Sequence, residues 1–204
     1  MIDLYAAGTS NGMRARIGLE ECGLAYTFHP IDLTKGEQKS PSFLAMNPNG
    51  QIPVIVDGDG PGGKPLTLSQ SVAILLYCGE KSGKFLPKDA AARPAFWQAL
   101  ASAASDMSGL VSAIFTLSRA KELHAPAIDT FKAMWNNYMK VWDGTLGRRR
   151  HCAGEEITVA DFALYGVVAR VKAAQPALVE GFANVARWAE AMAARPAIQR
   201  AMKF

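Results

Sequence analysis

Three short runs of the chain gather oxygen- and nitrogen-bearing side chains where backbone groups are also free. Gly8-Thr9-Ser10-Asn11-Gly12 stands where a first strand hands over to a first helix, the place where open α/β sheets bind ligands. Two hydroxyls and an amide meet there, beside helix N–H groups that lack intrahelical partners and carry positive partial charge, so a thiolate or another anion would be stabilised. Capping of the helix by Thr9, Ser10 or Asn11 accounts for the same residues without any ligand. In Asn49-Gly50-Gln51-Ile52-Pro53-Val54 a proline opens a strand after a Gly-containing turn. A cis Ile52-Pro53 bond would turn the preceding backbone outward and offer N–H and C=O groups to a peptide-like ligand. Only about one X-Pro bond in twenty is cis, so context must carry that expectation. In Leu68-Ser69-Gln70-Ser71, Ser69 is placed to cap a further helix, while Gln70 and the hydroxyl and N–H of Ser71 could grip a carboxylate.

The elements that position these runs follow from periodicity. Strand signals at Ile2 to Ala6, Tyr26 to Leu33, Ile52 to Asp57 and Pro65 to Leu68 alternate with helical ones at Gly12 to Cys22, Pro41 to Met46 and Ser69 to Ser82, which reads as βαβαββα. In the first helix Met13 and Ile17, with Leu24 just beyond it, fall on one face and leave Arg14, Glu20 and Glu21 free to point to water. Ser40-Pro41 is an N-cap followed by proline at the first helical position. The turn Asp57-Gly58-Asp59-Gly60-Pro61-Gly62-Gly63-Lys64 joins two antiparallel strands; no helix follows it directly, as a phosphate cradle requires. A domain of residues 1–83, a linker at 84–91 and an all-helical domain of 92–204 result, with helices near Ala92 to Lys121, Ile128 to Leu146 and Val159 to Ala173.

The bulk numbers narrow the classes. Among 204 residues, 22 Lys and Arg against 18 Asp and Glu leave a dispersed +4, which does not imply a nucleic-acid partner. No apolar window of membrane-spanning quality and no signal peptide are expected, and Cys22, Cys78 and Cys152 form no paired framework; a soluble, reduced, cytoplasmic protein is the expectation. His29, His124 and His151 lack metal-ligand spacing, so no metal is expected.

Taken together, LYAAGTSNGMRARIGLEECGL, DLTKGEQKSPSFLAMNPNGQIPVIVD and LTLSQSVAILLY resemble the glutathione-binding domain of the glutathione transferase superfamily, closest to the bacterial nu-class and its disulfide-reductase relatives. The likeness covers about the first 85 residues. It implies a thioredoxin-like N-terminal domain, an all-α C-terminal helical bundle, a cis Ile52-Pro53 bond, and glutathione as co-substrate. It also implies that Gln51, Ile52 and Pro53 present backbone groups to the cysteinyl part of glutathione, that Gln70 and Ser71 hold its γ-glutamyl end, and that Gln38 reaches its glycyl end. Thr9 and Asn11 match the hydroxyl and amide near the sulfur, with Ser10 as their neighbour. Asn11 falls near where beta-class relatives place a cysteine, so glutathione itself would be the nucleophile. A homodimer, and a small electrophile or disulfide as second substrate, follow from the same likeness, as does the alternative of a non-catalytic, partner-binding relative.

In the helical part, Thr158 and Asp161 form a capping box that resembles the superfamily's folding motif. Nu-class relatives carry an Asn-His-rich segment where this chain has Ser112 to Pro126, with Arg119, Thr130 and Lys132 nearby. Arg148-Arg149-Arg150 follows a helix C-terminus, where cations complement the dipole.

Overall fold

The computed structural model describes residues 1–204, which form two compact units: Met1–Leu86 together with Ala194–Phe204, and Pro87–Ala193. The first unit runs β1 (Ile2–Ala6), α1 (Ser10–Cys22), β2 (Tyr26–Pro30), α2 (Pro41–Met46), β3 (Val54–Asp57), β4 (Leu66–Ser69) and α3 (Ser71–Ser82), the βαβαββα order expected. Its four strands lie in the order β2-β1-β3-β4, parallel between β1 and β2 and antiparallel elsewhere. Alternation along β1 buries Ile2, Leu4 and Ala6 and leaves Asp3 and Tyr5 half exposed. The buried face meets Ala15, Leu19 and Cys22 of α1, Ile55 of β3, and Ile74 and Cys78 of α3 in one apolar cluster.

Several local expectations change. The helix α1 starts two residues before Gly12 because Thr9 caps it, its Oγ1 accepting from the Gly12 N–H at 3.2 Å. Ser69 is the last residue of β4 and not a cap; Gln70 occupies the cap position at φ 75°, ψ 112° without a side-chain capping bond. Arg14 does not face water but is 1% exposed. Glu20 and Glu21 are also taken up inside the unit, through partners described below. The reason is shared: α1 is packed against β1, α3 and a further helix, so little of its surface is left to solvent. The strand β2 stops at Pro30, where pairing with β1 ends at Ala6.

The second unit comprises α4 (Arg93–Ala101), α5 (Ser108–Leu117), α6 (Ala125–Arg148), α7 (Val159–Ala174) and α8 (Ala183–Ala193). A π-helical stretch, Ser102–Met107, joins α4 to α5, so the expected long helix is one run, widened in the middle and ending at Leu117. Contrary to the sequence expectation, the run Ala90–Leu117 is long and apolar enough to cross a membrane by length and composition alone. It packs against α6 and α7 within the helical unit. Trp135, Trp142 and Trp188 are buried in this unit, whereas Trp97 is 59% exposed.

The chain ends in α9 (Pro196–Ala201), which belongs to the first unit and packs on α1. Arg195 grips Glu21 with two bonds of 2.6 Å, and Arg200 Nε lies 2.7 Å from Glu20 Oε2.

Candidate glutathione site

Register places the three sequence runs at one end of the sheet. Val54 of β3 pairs with both Tyr5 of β1 and Ser69 of β4. The loop after β1, the residues before β3 and the turn after β4 therefore emerge side by side, carrying Thr9 to Asn11, Gln51 to Pro53, and Gln70 with Ser71. Gly12 fixes the first of these: a Cβ there would lie 2.0 Å from the Ala7 carbonyl oxygen, so only glycine lets the first turn of α1 close on the end of β1.

At the α1 terminus the Thr9 hydroxyl accepts from Gly12 and keeps its own proton to donate. Asn11 is exposed, and its Oδ1 accepts from Ser71 Oγ at 3.2 Å and from Arg14 Nη1 at 3.1 Å. With the carbonyl engaged twice, the amide's remaining groups are the two N–H donors of Nδ2, the polarity a thiolate needs. Ser10 opens α1 and is half buried. Neither α1 nor α3 has an acidic residue in its first turn, so the positive partial charge of both helix N-termini is uncompensated. Burial lowers the Arg14 guanidinium pKa to about 10, which leaves it charged at neutral pH beside Asn11.

The Ile52-Pro53 peptide is cis, as the resemblance implies. The N–H and C=O of Ile52 enter neither the sheet nor any turn bond. Gln51 is exposed but its carbonyl already accepts from Asn47 Nδ2 at 2.6 Å, so of its two backbone groups the N–H is the one left for a ligand. Gln70 is exposed at the mouth of the turn. Ser71 is buried at the start of α3, and its hydroxyl is turned to Asn11 rather than outward; its backbone N–H is the outward donor. Gln38 sits in the short helical turn Glu37–Lys39, with a buried Oε1 that has no hydrogen-bond partner. That turn abuts the loop before Gln51, where Lys39 Nζ donates to the Asn49 carbonyl at 3.2 Å and Gly50 leaves no room for a Cβ against Gln38.

Two contributors were missed in the sequence. Arg14 lies one turn from Asn11 on the same helix face, a spacing that signals contact. Asn47 is buried and holds the Gln51 carbonyl with Nδ2 while its Oδ1 accepts from the Asn49 N–H at 3.2 Å. No group of three or more His, Cys, Asp or Glu side chains is placed to hold a metal ion.

Fold and loops together define a thioredoxin-like domain, with the three loops at one sheet end, and a helical domain. The chain belongs to the glutathione S-transferase family. The models for the glutathione S-transferase N-terminal and C-terminal domains match residues 10–81 and 109–196. Disulfide-bond oxidoreductase YfcG of Escherichia coli strain K12 is 34% identical over 204 residues, spanning 99% of this chain and 94% of the relative. Glutathione S-transferase 3 of Zea mays is 33% identical over 210 residues, covering 98% and 92%. A glutathione transferase from Pseudomonas putida, solved with one glutathione disulfide bound per subunit, matches with a TM-score of 0.94 at 33% identity, over 100% of this chain and 91% of that one. A family member from Pseudomonas fluorescens pf-5, solved with two glutathione bound, matches with a TM-score of 0.93 at 31% identity, over 99% and 92%.

Proposed function

We propose that this chain is a glutathione transferase that holds the glutathione thiol as a thiolate, with Asn11 Nδ2 and Thr9 Oγ1 as its hydrogen-bond donors. The observation that carries this reading is the Ser71–Asn11 hydrogen bond, which joins the two helix N-termini and leaves the Asn11 amide as a donor. A free thiol with a pKa of about 8.5 is only about 3% ionised at pH 7. Lowering that pKa by about two units requires about 2.7 kcal/mol in favour of the thiolate. A helix terminus supplies about 0.3 to 1 kcal/mol, and one or two charge-assisted hydrogen bonds of about 1.5 to 3 kcal/mol each supply the rest.

The preferred reaction is disulfide reduction. The glutathione thiolate attacks one sulfur of the substrate disulfide, the S–S bond breaks, and the departing thiolate takes a proton from solvent. A second glutathione thiolate then displaces the remaining substrate sulfur, giving glutathione disulfide. Relatives solved with two glutathione molecules or with glutathione disulfide support this order. Conjugation to an electrophilic carbon uses the same thiolate and is the second reading, supported by the likeness to the Zea mays transferase. Gln51, Ile52 and Pro53 would bind the cysteinyl backbone, Gln70 and the Ser71 N–H the γ-glutamyl end, and Gln38 the glycyl end. Exposed Trp97, Met134 and Val141 on the helical unit suit a homodimer, and the three unpaired thiols suit a reducing cytoplasm.

The test is calorimetric titration with reduced and with oxidised glutathione, followed by turnover of a small disulfide and of an aryl halide. Binding with disulfide turnover supports the first reading and binding with conjugation alone the second. Absence of binding removes both and leaves a partner-binding role.

A further inference from the structure

The segment Ala194–Phe204 does more than close the first unit. We propose that it is a strap that sets the position of the loop carrying Thr9, with Phe204 as a positioning residue; this rests on the function proposed above. The strap is tied to α1 at three successive points. Arg195 holds Glu21 with two 2.6 Å bonds, Arg200 holds Glu20, and Arg16 donates to the Lys203 carbonyl. Glu20 also accepts from Tyr26 Oη at 2.9 Å, and that oxygen accepts from Arg16 Nε at 2.9 Å, so the second and third ties share one network.

At its end the Arg16 guanidinium lies beside two rings, 4.4 Å from the centre of Phe28 and 5.1 Å from that of Phe204. The rings themselves meet edge to face at 5.6 Å. Phe204 then faces the bare backbone of Gly8: a Cβ built on Gly8 would lie 3.5 Å from Phe204 Cβ and 3.6 Å from its Cγ, ordinary van der Waals spacing, so the ring stands about one carbon's width off the loop. Gly8 immediately precedes Thr9, in a tight turn where the Thr9 N–H donates to the Ala7 carbonyl at 2.7 Å. A displacement of Gly8 therefore passes directly to the Thr9 hydroxyl and the first turn of α1. Phe204 remains 44% exposed, so its contribution to the core is small.

The test compares the unsubstituted protein with Phe204→Ala, Phe204→Leu and Arg16→Met. Ultraviolet thiolate absorbance of bound glutathione across pH, steady-state kinetics, and amide hydrogen exchange of the peptide containing residues 6–12 are measured on each. Phe204→Ala and Arg16→Met are expected to speed exchange in that peptide and to raise the bound thiol's pKa by about half a unit. Turnover below that pKa then falls about threefold while KM for glutathione changes less, and Phe204→Leu recovers most of the loss. A pH profile and exchange rates equal to those of the unsubstituted protein in both variants would overturn the strap. So would a turnover loss equal at every pH with unchanged exchange. If the unsubstituted protein binds no glutathione, the functional reading fails by itself, and the exchange comparison still decides whether the strap positions the loop.

Discussion

Asn11 has a carbonyl that accepts from Ser71 and Arg14 and an amide nitrogen that can only donate. Its orientation is thus set by neighbours before any ligand arrives. Asn11→Ala and Thr9→Ala are each expected to raise the bound thiol's pKa by about one unit, with about a fivefold loss of turnover at pH 6.5; a thiolate titration that does not move removes the substituted residue from the mechanism. Ser71→Ala removes the tie between the helix termini. A kcat lowered about threefold to tenfold is expected, along with a shifted pH profile, whereas an effect on glutathione KM alone would make Ser71 purely a binding residue. Thr9 and Asn11 were legible as candidate donors because they stand at a strand-to-helix junction. The Asn11–Ser71 contact was not, because it joins residues sixty positions apart and depends on where β1 and β4 each end.

At the level of elements, the α7 terminus shows how one carboxylate can organise a helix start. Asp161 is fully buried; its Oδ2 accepts from the Thr158 N–H at 2.9 Å, and its Oδ1 accepts from the Cys152 N–H at 2.9 Å and from Trp188 Nε1 at 3.1 Å. Burial alone would raise its pKa, but His151 and the Cys152 and Thr158 N–H groups together hold it below the ordinary carboxylate value. A group depressed in the folded state adds stability above its unfolded pKa of about 3.9 and withdraws it as pH falls through the folded value. Acid unfolding below about pH 4 should accordingly weaken in Asp161→Asn relative to neutral pH, as read by urea denaturation at both. Asp161→Ala leaves three donors without an acceptor and should cost about 3 to 5 kcal/mol, seen as a lower midpoint at unchanged slope. The spacing from Thr158 to Asp161 announced the cap, whereas the bonds from Cys152 and Trp188 need the fold. The π-helical stretch at Ser102–Met107 carries no pattern that separates it from its α-helical flanks.

For the whole molecule, the order of strands and helices was legible because β1 buries alternate residues and the helices are set off by caps and glycine stops such as Thr9, Gly23 and Gly83. The arginine partners of Glu20 and Glu21 were hidden, since Arg195 and Arg200 return to α1 from far along the chain. The side chain of Glu21 is 4% exposed beneath a two-bond arginine. Its replacement by alanine should destabilise the first unit by about 2 kcal/mol, with little sensitivity to salt; a loss that vanishes in high salt would mark an ordinary surface pair. Gln70 works in the opposite direction. It holds φ at 75° without being glycine, a conformation that costs of order 1 kcal/mol or more. Gln70→Gly should therefore raise the melting temperature by about 2 to 4 °C in the absence of glutathione while weakening its binding. A population of variants selected for heat tolerance alone would drift toward that exchange, and the survivors would be sturdier proteins that had forgotten their ligand.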